Sequence, residues 1–123
     1  MNRLTSGTLE ELINEYGEIK DFKIKKGIRI ECNGETFRAK ELALRELEQG
    51  DMRKIERDHR YDPNKPITVS SIVATQSLYV KEKDSDIYRI VTVDECDTMK
   101  ESDMNILAKA KASFEEEDEN FTE

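Results

Sequence analysis

The stretch FKIKKGIRIECNGETFRAK, residues 22–40, decides the fold of this chain. Phe22, Ile24, Ile28, Ile30 and Cys32 fall on alternate positions, interrupted only at Lys26, which is the period of a strand with one buried face. Asn33 and Gly34 both tolerate positive φ and suit the two-residue type I′ turn that joins twisted strands. With that turn Cys32 faces Glu35, Ile30 faces Phe37 and Ile28 faces Ala39, so apolar residues line one face of both strands. A slip by one residue would turn all of them to water, and turn chemistry and pattern therefore agree on one register. The opposite face carries Lys23, Lys25, Arg29 and Arg38, with Arg29 directly across from Arg38. Between residues 20 and 40 seven bases stand against three acids.

On the N-terminal side, Thr8 and Glu11 have the spacing of a capping box, each side chain accepting the other's amide hydrogen. Leu9, Leu12, Ile13 and Tyr16 then share one helical face, and Gly17 ends the helix. On the C-terminal side, Leu42, Ala43, Leu44 and Leu47 in AKELALRELEQGD predict a helix over 39–50, ended or kinked at Gly50. A second helix is expected from Asp51, with Met52, Ile55 and His59 turned inward. YDPNKP, which holds both prolines of the chain, marks a loop. ITVSSIVATQSLYV, residues 67–80, reads as β-rich with its alternation slipping at Ser70–Ser71, where a bulge is expected. EKDSD is a turn, and IYRIVTV, residues 87–93, reads as a strand apolar on both sides. Thr98 and Glu101 repeat the capping-box spacing ahead of a helix whose inward stripe is Met99, Ile106, Leu107, Ala110 and Phe114.

This order predicts an α+β fold: a small antiparallel sheet, built from hairpin 22–39 and strands within 67–93, packed with three or four helices. The 123 residues suffice for one domain over 1–114 and a tail over 115–123. Charged residues make up 39% and hydrophobic residues 36%, so the core is modest, and without tryptophan it is mainly aliphatic. The formal net charge is −8, of which the tail EEEDENFTE supplies six acids and no base. The remainder therefore holds 22 acids against 20 bases and is close to neutral. Such a self-repelling run is expected to be disordered. No apolar run reaches the length of a membrane span, and the first residues lack an apolar signal region, so a cytoplasmic protein is expected. Two cysteines, Cys32 and Cys96, are too few for a disulfide framework and are read as free thiols.

Catalytic chemistry finds little support. His59 is the single histidine, with Asp58 beside it and Asp62 nearby, but no nucleophile stands at a known spacing from it. Cys96 lies among acids, which raise a thiol's pKa and blunt it. Asp94, Glu95, Asp97, Glu101 and Asp103 are hard oxygen donors, yet the calcium-loop spacing and its glycine are missing, and capping of the following helix accounts for them. Neither a P-loop nor a dinucleotide fingerprint occurs. No cofactor and no metal are expected.

The function expected is therefore that of a non-enzymatic binding protein acting by occlusion or sequestration. In type, a small acidic chain without a catalytic set resembles the inhibitors that phages and mobile elements encode against host nucleic-acid-handling or defence proteins. The acidic partner-binding candidates are Asp94, Glu95, Asp97, Glu115, Glu116, Glu117, Asp118 and Glu119. The alternative is a nucleotide or phosphate binder gripping its ligand with Lys23, Lys25, Arg29, Arg38 and Arg57. Direct nucleic-acid binding is disfavoured because the basic face lacks aromatic side chains for stacking, and a homodimer is left open.

Overall fold

The computed structural model describes residues 4–121, apart from the side chains of residues 67 and 115–121. Among the described residues the elements are β1 (Ser6–Thr8), α1 (Leu9–Tyr16), β2 (Ile19–Cys32), β3 (Glu35–Arg45), α2 (Gln49–Arg57), α3 (Pro66–Ser77), β4 (Leu78–Lys81), β5 (Ile87–Ile90), α4 (Val93–Cys96) and α5 (Glu101–Phe121). The expected acidic tail over 115–123 falls on side chains and residues outside that description. The five strands form one antiparallel sheet in the order β1-β5-β4-β3-β2, and helices pack on both faces, an α+β fold.

The hairpin forms as its residues dictate. Asn33 and Gly34 take φ of 53° and 83°, and Cys32, Ile30 and Ile28 pair with Glu35, Phe37 and Ala39. Toward its open end the ribbon is irregular. Lys23 pairs with Glu41 and Ile28 with Ala39, so residues 24–27 of β2 stand against residue 40 alone of β3. This bulge is the break in alternation seen at Lys26.

One face of the sheet presents Ile28, Ile30, Leu42, Leu44, Leu78 and Val80 to Ala74 of α3 and to Leu107 and Phe114 of α5. Met99, Ile106 and Ala110 join this core, as the stripe predicts. On the other face Leu12 and Tyr16 of α1 cover Ala43, Tyr79 and Tyr88. The Thr8–Glu11 capping box opens α1 as expected.

Several expectations are corrected. Residues 39–45 are strand, not helix: β3 lies inside the sheet with helices over both faces, so consecutive Leu42, Ala43 and Leu44 are all buried. The helix predicted from Asp51 begins at Gln49 and includes Gly50, and Asp51 caps it by accepting from the Glu48 amide at 2.8 Å. Ile55 is buried, but Met52 is 44% exposed and the His59 side chain 89% exposed. Residues 66–77 are helix α3, opened by Pro66 at its first turn. The hydroxyls of Thr75 and Ser77 donate to Ile72 and Val73 carbonyls within α3, satisfying groups that otherwise disfavour a helix. The slip at Ser70–Ser71 is thus helical period, not a bulge, and the strand starts only at Leu78. The capping box before the last helix belongs to Thr92 and Glu95, which open α4, rather than to Thr98 and Glu101. Strand β1, which pairs with β5, was not foreseen.

Candidate functional site

The basic face of the ribbon forms at the edge of the sheet. Arg29 and Arg38 are cross-strand partners, so both side chains leave the same face. Arg38 donates to the Gly27 carbonyl at 3.3 Å, whereas the Arg29 guanidinium makes no hydrogen bond or ion pair among the described residues. Lys23 lies opposite Glu41, which also holds Lys81 at 3.1 Å, so this part of the strip is partly neutralised. Lys25 is exposed in the bulge. Arg57 is not brought to the pair by its element. Helix α2 hangs from Arg45 at the far end of β3, seven residues and roughly 23 Å of strand from Arg38.

Asp94 and Glu95 of the acidic segment lie beside the basic ribbon. Asp94, Glu95 and Thr98 line one open groove of about 420 Å3 together with Arg29, Glu31 and Thr36. One base, Arg29, therefore shares this groove with three carboxylates. Glu95 is held internally: it accepts from both terminal nitrogens of Arg89, at 2.9 and 2.6 Å, and from the Thr92 amide at 3.0 Å. Burial would raise its carboxyl, but these hydrogen bonds overcome burial and keep it below the ordinary glutamate value. Asp97 accepts from the Ser71 hydroxyl at 2.7 Å. Asp94 alone of the three makes no such bond among the described residues and is exposed. The proposed partner residues Glu115, Glu116, Glu117, Asp118 and Glu119 have side chains outside the description.

Asp103 has a structural task that its sequence position does not announce. It is fully buried, and its carboxylate accepts the backbone amides of Lys25 at 2.8 Å, Lys26 at 2.9 Å and Gly27 at 3.0 Å. Burial pushes its pKa up, the three amides pull it down, and the amides win. Gly27 takes φ of +92°, and a Cβ there would meet the Arg38 Cβ at 3.0 Å. Thr98 Oγ1 accepts the Arg29 amide at 2.8 Å on the same edge. Side chains ahead of and within α5 thus cap four amides of edge strand β2, which opposes pairing with another strand along that stretch.

Two concavities, absent from the sequence reading, lie between α3 and α5, and Lys111 lines both. One, of about 220 Å3, is lined by Ser71, Cys96, Asp97, Met99 and Leu107 among others. The other, of about 250 Å3, is lined by Leu44, Leu47, Val73, Ser77 and Phe114 with Arg45 and Glu46 at its rim. Lys111 is half-buried and makes no hydrogen bond or ion pair among the described residues. Burial lowers its pKa, opposed only by Cys96. Burial likewise raises the Cys96 thiol, so it is a poor nucleophile at neutral pH. Both cysteines are free. The signal for Lys111 was its place in AKAKASF, one residue past the inward-facing Ala110, but a helical lysine at that position is ordinarily solvated.

The described residues hold no cluster of three or more potential metal ligands and no helix long and apolar enough to cross a membrane. No family model, curated protein or solved structure matches this chain.

Proposed function

We propose that the protein binds and occludes a protein partner rather than transforming a substrate, and that the outer face of the β2–β3 ribbon is its recognition surface. The observation that carries this reading is the Arg29–Arg38 pair. Two like charges sit directly across a ribbon, neither with an ion-pair partner among the described residues, at a small cost to the fold. A partner carboxylate between them would relieve that repulsion. The neighbouring Glu31 and Asp94 favour a partner of mixed charge over a continuous polyanion, since a nucleic-acid backbone would meet them with like charge. A host nucleic-acid-handling or defence protein fits this description, with the acidic run from Glu115 to Glu119 as a further contact. A second reading, a small-ligand binder, draws on the Lys111 concavity rather than on the ribbon.

The test is affinity capture on the wild-type chain and on Arg29→Glu, followed by size-exclusion chromatography at low and high salt. Arg29→Glu gains an opposite charge in Arg38 but meets Glu31, Asp94 and Glu95 in the groove, and the net change in stability is expected to stay within about 1 kcal/mol. A stoichiometric partner held by the wild type, released by salt and missed by the variant is expected. Equal capture by both proteins, or no stoichiometric partner, would refute the reading.

A further inference from the structure

We infer that the concave region between α3 and α5 is a binding site for a small monocarboxylate with a hydrocarbon body, whose head pairs with Lys111. Two concavities, of about 220 and 250 Å3, both have Lys111 in their walls, and each is smaller than a drug-sized ligand site, which suits a ligand of one head and one short chain. Their walls are chiefly apolar, with Val73, Leu47 and Phe114 in one lobe and Leu107 and Met99 in the other. A half-buried ammonium with no counter-ion among the described residues carries an uncompensated desolvation cost, which an entering carboxylate removes.

The charge of the head follows from the surroundings. Asp97 borders one lobe and Glu46 the other, and both would repel a doubly charged phosphate. A single ammonium matches a single negative charge. The hydrocarbon body gains by leaving water for the aliphatic walls, at about 25 cal/mol per Å2 of apolar surface buried. Leu44 and Arg45 of β3 line one lobe, but the Arg29–Arg38 pair leaves the opposite face of the sheet, so the two sites are separate.

Calorimetric titration with decanoate below its micelle concentration tests the assignment, with decylamine and decanol as controls of charge. Decanoate is expected to bind and to raise the melting temperature, while the two controls bind more weakly. Lys111→Met keeps the bulk and loses the charge, and is expected to weaken decanoate by about tenfold or more. Val73→Phe narrows the second lobe without touching the charge and should also weaken it. Arg29→Glu should leave decanoate binding unchanged, so this site and the ribbon are judged separately. Equal binding of decylamine or decanol, undiminished decanoate binding by Lys111→Met, or no binding of decanoate at low millimolar concentration would overturn the assignment.

Discussion

Replacing Asp103 by alanine should loosen α5 from the sheet edge. Three amide donors lose their acceptor, of which the Gly27 amide is buried and those of Lys25 and Lys26 partly so. A buried donor left unpaired costs about 1–3 kcal/mol, and hydrogen bonds to a charged acceptor lie at the upper end. Water reaches the two outer amides in part, so the expected total is about 3–5 kcal/mol. A chain of this length has a stability of about 6–18 kcal/mol, so the variant should fold but be markedly weakened. Urea titration followed by circular dichroism would show a lower midpoint at unchanged slope. The pH dependence supplies a second reading. Because the folded carboxyl is held below its ordinary value, its contribution is present above the unfolded pKa near 4 and fades as pH falls through the lower folded value. Asp103→Asn keeps the size but has no carboxyl to protonate, so its stability should decline less between pH 5 and pH 2 than the wild type's. A loss under about 1 kcal/mol in the alanine variant, or equal acid sensitivity in the asparagine variant, would refute the reasoning, since three bonds to one buried carboxylate cannot be that weak.

Two further outcomes follow from buried groups. Arg45 and Asp51 form a bidentate pair at 2.9 Å, with Arg45 only 3% exposed and stacked on the Tyr16 ring at 4.6 Å. Arg45→Ala should cost about 3–5 kcal/mol in denaturant titration, because it leaves Asp51 buried and unpaired, and a cost under 1 kcal/mol would show that α2 relaxes to hydrate it. Cys96, whose thiol is raised chiefly by burial, should alkylate with iodoacetamide at pH 7.5 well below the rate of a free cysteine, and mass spectrometry showing rapid modification would contradict that environment.

The hairpin and the first helix were legible because each rests on local rules. The Asn33–Gly34 turn, the alternation that meets across it and the Thr8–Glu11 box need no knowledge of the rest of the chain. The break at Lys26 coincides with the bulge, which the alternation alone did not predict. Segments 39–45 and 66–77 exchanged type because their residues suit either state, and neighbours decided. Leu42–Ala43–Leu44 becomes strand where β2 and β4 offer hydrogen bonds on both sides, and the β-branched run after Pro66 becomes helix where it packs over the sheet.

Local chemistry alone thus determined the ribbon, its register and the pairing of Arg29 with Arg38, since these depend on φ preferences and a period of two. Only the assembled fold decided that Glu95 serves Arg89, that Asp103 serves the bulge 78 to 76 residues earlier in the chain, and that Lys111 stands between α3 and α5 without a counter-ion among the described residues. Which charges cancel is a matter of distance in space, and spacing along the sequence carries little of that information once the chain has turned back on itself.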